Sequence, residues 1–218
     1  MPRSRPRLLA VLALALAACT NGEEDWRAEL DDPDPYVRGL AAIGLSLEAP
    51  EAAAPALPVL FESIDRSGGG LERASAHALQ LVGPLHLEVL LQELVEEELM
   101  SEDRRGAIMN ALVGAGASAT GPIVRSLQGP GRGRAGDLGD LLLAIGEPAV
   151  PALVELLETS EDHALQNFAA FLLGKFGPRA RAAVPALERA SRSQDAGVRE
   201  VAGKALGSIV GGVPARTR

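Results

Sequence analysis

The single cysteine of this 218-residue chain, Cys19, is the side chain best placed to do chemistry. It follows an unbroken apolar run, Leu8 to Ala18, which is preceded by Arg3, Arg5 and Arg7. A basic segment followed by an apolar run of 11 residues is typical of a secretory signal. The run is shorter than the roughly 20 residues that a helix needs to span a bilayer. The pattern predicts a signal peptide over residues 1–18, and a buried core helix at this position is the alternative.

The residues Leu16, Ala17, Ala18 and Cys19 resemble the lipobox of bacterial lipoproteins. In that family the cysteine thiol is linked by a thioether to diacylglycerol, and the signal is cut just before it. The resemblance implies lipidation at Cys19, a tether over residues 19–25 and a membrane anchor made by acyl chains alone. In this family an aspartate directly after the cysteine favours retention in the inner membrane. Thr20 stands at that position here, so the resemblance favours the outer membrane. The alternative is an ordinary secretory signal that leaves a free thiol.

Other residues with chemical potential form no recognisable constellation. The three histidines, His77, His86 and His163, lie in different segments without metal-ligand spacing, so packed or solvated side chains are expected. The acidic cluster at 93–103 lacks the oxygen spacing of a calcium loop and indicates a solvated helix end. The segment 129–136 carries two arginines among glycines but lacks a P-loop ending, and we expect a flexible connection there. We therefore expect no catalytic residue, no cofactor and no metal.

The elements that carry these residues repeat along the chain. Segments of a first type start with an acidic or small polar residue, continue with an amphipathic run and end near a glycine, as at 34–44, 162–174 and 195–207. Apolar residues within them recur at i, i+3, i+4 and i+7, which predicts helices. We expect the acidic residue to cap the helix N-terminus and the glycine to form a left-handed C-cap. The expected closing glycines are Gly44, Gly83, Gly114, Gly146, Gly174 and Gly207.

Segments of a second type lie between them and are rich in Ala, Pro and Leu, as at 54–61, 147–154 and 182–187. Their prolines fall in the first helical turn, where the missing N–H costs nothing. One helix pair of about 30 residues cannot bury its apolar stripe alone, whereas stacked pairs share a core. The sequence therefore predicts an all-α fold, an α-solenoid of about five to six antiparallel helix pairs over 26–210. Residues 211–218 are expected to form a flexible tail.

The segment 34–44 and the Val-Pro-Ala-Leu stretches at 150–153 and 184–187 resemble HEAT repeats, closest to the short class also found in phycobiliprotein lyases. The resemblance implies a binding scaffold in which Asp and Arg form a ladder between successive pairs. Asp34 with Arg38, and Asp195 with Arg199, match that pattern, whereas Gln166 stands where an arginine would follow Asp162.

These observations predict a non-enzymatic, lipid-anchored scaffold for protein–protein interaction at a bacterial envelope. Removal of residues 1–18 takes away three arginines and no acid, which shifts the net charge from −8 to −11 and disfavours a nucleic-acid partner. The protein partners are unidentified. Alternatives are an architectural subunit or assembly factor of an envelope complex and, less favoured, a bilin-handling enzyme. Contacts are expected from polar side chains of the first-type helices: Arg38, Gln80, Asn110, Asp140, Asn167 and Lys204.

Overall fold

The protein is all-α in the computed structural model, which describes residues 22–66, 70–97 and 99–211. Within those ranges the regular elements are α-helices and short 3₁₀ turns, so the predicted all-α solenoid is confirmed. The signal peptide, the four lipobox residues and the tail from residue 212 lie outside the described residues. The chain divides between Gly114 and Ala115 into two compact units.

The first unit stacks its first-type helices in chain order, with the second-type helices packed against them. A short N-terminal helix packs on the first of these. Proline stands in the first turn of the second-type helix α3, as predicted, and also in the first turn of the first-type helix α2. The helices are α1 (Gly22–Glu29), α2 (Pro35–Glu48), α3 (Leu57–Asp65), α4 (Glu72–Val82), α5 (Leu87–Glu96) and α6 (Glu102–Gly114), with 3₁₀ turns at Pro50–Ala52, Ala54–Ala56 and Gly83–Leu85.

The second unit also has two layers, because first-type helices pack on first-type helices and second-type on second-type. Leucines of both layers are completely buried between them. Its helices are α7 (Ala117–Leu127), α8 (Ala135–Ile145), α9 (Val150–Thr159), α10 (His163–Phe176), α11 (Val184–Ala190) and α12 (Ala196–Gly211), with 3₁₀ turns at Pro130–Arg134, Glu147–Ala149 and Gly177–Ala183.

Acidic residues cap three first-type helices, as the sequence predicted. The Asp34 carboxylate accepts a hydrogen bond from the Tyr36 N–H at 2.9 Å, and Asp162 accepts one from Ala164 at 2.8 Å. Asp195 accepts from the Val198 N–H at 2.8 Å. Each carboxylate satisfies an N–H group that has no partner inside the helix and sits at the positive end of the helix dipole.

The prediction of left-handed C-caps at the six repeated glycines is wrong: only Gly146 among them has a positive φ, and it caps α8 with φ 88° and ψ −149°, outside the left-handed helical region. Helix α10 ends instead at Gly177 with φ 55°. Three of them serve close packing, because an added Cβ would stand 2.6 Å from the Trp26 indole at Gly44, 2.8 Å from Ala111 at Gly83 and 3.1 Å from Ala205 at Gly174. The recurring glycine therefore marks a close helix contact as often as a helix end.

Helix α1 begins earlier than the sequence suggested. Residues 22–25, which we assigned to a tether, form its first turn and include Glu23, Glu24 and Asp25 at the positive end of the dipole. Trp26 buries its side chain to 7% exposure and docks the helix on α2. At the other end α12 continues to Gly211, one residue into the segment expected to be a tail.

The glycine-rich segment 129–136, which we expected to form a flexible connection, includes a regular turn. Residues 130–134 form a 3₁₀ turn and α8 begins at Ala135. Gly131 is buried, and a side chain there would collide with the Ser126 hydroxyl and the Leu138 methyl group. Gly131 therefore allows this turn to approach its neighbours closely, whereas Gly133 and Gly136 have open space at the Cβ position.

The contact at Gly44 predicts the outcome of one substitution. Gly44→Ala would press a methyl group into the rigid Trp26 indole, and we expect the free energy of unfolding to fall by about 1–3 kcal/mol. Gly207→Ala is the matched control, because nothing lies within 4 Å of its Cβ position and the helix gains propensity. Urea unfolding of both variants measures the difference, and equal stability of the two would contradict the packing role of Gly44.

Candidate interaction surface

A polar clamp holds the loop before three first-type helices. Arg38 donates from Nη1 to the carbonyls of Asp32 at 2.7 Å and Pro33 at 3.3 Å. Arg199 donates in the same way to Ser193 at 2.8 Å and Gln194 at 2.6 Å. These bonds reach back five or six residues and satisfy loop carbonyls that the helix leaves unpaired.

Gln166 performs the same task with a neutral amide. Its Nε2 donates to the Ser160 carbonyl at 2.8 Å. The side chain two residues before each capping aspartate accepts a hydrogen bond from the backbone N–H of that aspartate. The acceptor is the Asp32 carboxylate at 2.7 Å, and the Ser160 and Ser193 hydroxyls at 3.2 Å each. Sequence reasoning treated Gln166 as a departure from the pattern, but the amide supplies the donor that the loop needs.

The clamps replace the expected Asp–Arg ladder at these positions. Asp34, Asp162 and Asp195 each cap their own helix. Arg38 also pairs with Glu62 of α3, at 2.9 Å and 3.1 Å to the two carboxylate oxygens. Asp162 contacts Arg132, and its pKa is held below the ordinary 3.8, first by the Ala164 N–H and then by that guanidinium. The clamp bonds therefore stay within a helix and its preceding turn, whereas the Asp162–Arg132 contact joins the start of α10 to the turn before α8.

Arg104 binds three helices of the first unit together. It projects from α6, pairs with Asp65 of α3 at 3.1 Å and contacts Glu93 of α5. The guanidinium lies 4.7 Å from the Phe61 ring centroid, a cation–π geometry. The side chain is 16% exposed, so it fills the space between these helices and does not present its charge to a partner.

The equivalent helices of the second unit leave a groove open. Its cavity of about 390 Å³ is bounded by α9, α10, α11 and the start of α12. The Glu158–Arg189 ion pair lies at its rim, and Arg189 is 65% exposed. Apolar side chains form the rest of the wall beside two neutral polar groups, so this groove can take a mixed apolar and polar segment. The lining residues are Leu157, Glu158, Gln166, Ala186, Arg189, Ala190, Ser193 and Val198.

Four of the six predicted contact residues are exposed on first-type helices: Gln80, Asn110, Asp140 and Lys204. Lys204 donates a hydrogen bond to Glu200 at 2.5 Å, and this bond together with the positive charge of the ammonium group lowers the pKa of that carboxyl group. Arg38 is committed to the clamp described above. Asn167 is half-buried, and its Oδ1 has no hydrogen-bond partner in the structure. Sequence reasoning missed the groove, because its residues come from four helices and share no motif.

Two of the histidines make ordinary polar contacts, and Glu93 of the acidic cluster is paired with Arg104. His86 Nε2 lies 2.9 Å from the Pro50 carbonyl, and His163 Nδ1 lies 3.0 Å from the Gln166 amide oxygen. His77 is exposed. In the described ranges, no three His, Cys, Asp or Glu side chains come together in a way that could hold a metal ion.

Membrane-spanning helices were sought in the same ranges. No single helix there is long and apolar enough to cross a bilayer. Residues 72–85 and 87–96 reach that length and apolarity only as a pair, with a 116° bend between them.

Comparison with known proteins bears on the second unit. Residues 150–217 match the family model of HEAT repeats. This match begins at α9 and supports HEAT-like repeats in the chain. One solved structure, a crystal structure of an engineered protein from the Northeast Structural Genomics Consortium, is 20% identical over 88% of this chain and 98% of its own, with a TM-score of 0.36. No match was found among the curated proteins.

The clamp at Gln166 makes a prediction about residue type. Gln166→Ala should lower the free energy of unfolding by about 1 kcal/mol, because the Ser160 carbonyl loses its donor. Gln166→Arg should keep most of the stability, since Arg38 and Arg199 make the same bond. Thermal unfolding compares the variants, and an arginine variant as unstable as the alanine variant would refute the equivalence.

Proposed function

We propose that this protein is a non-enzymatic, lipid-anchored HEAT-like scaffold that binds other proteins at a bacterial cell envelope. The anchor is Cys19, and the outer membrane is favoured over the inner one. The observation that carries the scaffold part is the groove of the second unit, which combines an apolar wall with a charged rim. The anchor part is supported by the sequence before Cys19 alone.

The groove suits a protein partner because a charged pair stands at its rim beside a partly apolar wall. The Glu158–Arg189 pair offers one charge of each sign at the rim, and Ser193 and Gln166 line the wall. Leu157 and Val198 are only 3% and 2% exposed, so among these apolar lining residues the half-buried Ala190 offers contact area, while the polar groups set orientation. An architectural subunit of an envelope complex would use the same surface with one permanent partner.

Capture of partners from detergent-solubilised envelopes tests the scaffold. After crosslinking of this protein to its neighbours, we expect it to retain specific partners. The Ala190→Gln variant should recover less of them, because the larger side chain fills the groove. Glu188→Gln is the matched control, because this exposed residue lies on the same helix outside the groove lining.

One stoichiometric partner would favour a subunit of a complex, and several weaker ones would favour a general scaffold. Recovery of no partner would count against both. A spectral change on mixing the protein with bilins would instead favour the enzymatic alternative.

The anchor has a separate test. Cys19→Ala should abolish incorporation of labelled acyl chains and release the protein from the membrane fraction, because acyl chains bound to that thiol are the proposed attachment. The variant keeps the whole helical domain, so its circular dichroism should be unchanged. Unaltered membrane association of a folded variant would contradict lipidation at Cys19.

A further inference from the structure

Several large apolar side chains of the first unit are exposed at one end of its first-type helices. Leu47 in the last turn of α2 is 57% exposed, Leu81 in the last turn of α4 is 45% exposed and Leu85 in the following 3₁₀ turn is 51% exposed. A soluble surface tolerates such residues singly, but a cluster marks a contact. We call these three side chains the apolar end.

The three side chains belong to the same end of the unit. Helices α2 and α4 pack against each other, and the His86 ring beside Leu85 lies 2.9 Å from the Pro50 carbonyl, just beyond the end of α2. That contact joins the turn after α4 to the turn after α2. The C-terminal ends of both helices, where Leu47 and Leu81 lie, are therefore held together.

The chain leading to Cys19 leaves the described structure at this same end. Gly22, the first described residue, packs against the Glu48 carboxylate so closely that a side chain on Gly22 would collide with it. Glu48 is the neighbour of Leu47. Thr20 and Asn21 separate Gly22 from Cys19, and the three residue-to-residue steps between them reach at most about 10 Å. An acylated Cys19 would thus hold Leu47 close to the lipid surface.

The charges around this end select the kind of lipid. Residues 39–65 and 74–103, which include the whole apolar end, contain no lysine or arginine. Glu48 and Glu51 are exposed beside Leu47. An anionic membrane attracts basic residues and would repel these carboxylates, whereas a zwitterionic surface offers ammonium groups to them.

From these observations we propose that the apolar end of the first unit, Leu47, Leu81 and Leu85, rests on a zwitterionic lipid surface beside the anchor. This proposal rests on the proposed lipidation of Cys19. The acyl chains would give attachment, and the leucines would fix which edge of the domain meets the membrane. Amphipathic contact of this kind adds buried apolar area to a lipid anchor.

A single-site label tests the proposal in the full lipidated protein. Once Cys19 carries lipid, a new cysteine is the sole reactive thiol, so Leu47→Cys can take a polarity-sensitive fluorophore. In zwitterionic vesicles we expect a blue-shifted emission and several-fold weaker quenching by a water-soluble quencher. Ala74→Cys is the control, because Ala74 is exposed on α4 seven residues before Leu81 and should stay in water.

Further outcomes of the same labelling experiment support or overturn the lipid contact. Addition of anionic lipid should reduce the blue shift at position 47. A label there that stays as accessible as the control, on protein that carries acyl chains, would overturn the apolar end while leaving the anchor intact. Protein without acyl label would overturn both. A blue shift that grows with the protein-to-lipid ratio would identify a second copy as the occupant and overturn the lipid contact.

Discussion

Close approach between neighbouring helices is the constraint on which the rest of the structure depends. Gly44 against Trp26, Gly83 against Ala111 and Gly174 against Ala205 each place a hydrogen where any other residue would place a carbon. Leucines of both layers can be buried fully only at this separation, because protein interiors leave no voids to accommodate a wider one. The low aromatic content, 3% of the chain, follows from the same spacing.

Polar groups at the helix starts keep this packing in register. A capping aspartate, the residue two before it and the donor four after it form one local unit at α2, α10 and α12. These bonds satisfy backbone groups that would otherwise lie unpaired in the turns between helices. Arg104 likewise joins α3, α5 and α6, because its guanidinium contacts carboxylates on two helices and an aromatic ring.

The helices and their caps were predictable because they depend on neighbours in the sequence. The period of apolar residues located the first-type and second-type helices, and the acidic residues located three N-caps. The role of the repeated glycines was not predictable, since whether Gly44 ends a helix or contacts Trp26 depends on a partner 18 residues away. The role of Gln166 was missed for a related reason. A sequence motif compares residue types, whereas the loop carbonyl requires only a hydrogen-bond donor.

For the same reason, the exposure of the expected contact residues was predictable but their ion pairs were not. Exposure of Gln80 and Asp140 followed from helical period, but the commitment of Arg38 to Glu62 depends on a helix 24 residues further on. The groove of the second unit is a product of four helices and has no sequence signature at all.

The docking of α1 through one buried aromatic side chain has a mechanical consequence. Within the part of the chain that the structure describes, Trp26 and, just after the helix, Leu30 are the first buried apolar side chains. As a helix of eight residues α1 spans about 12 Å, whereas the same residues extended would span about 27 Å. Release of the indole from Gly44 would therefore more than double the reach of the chain that precedes α2. Docking of the tryptophan therefore sets the distance between the repeats and the attachment point of the N-terminus.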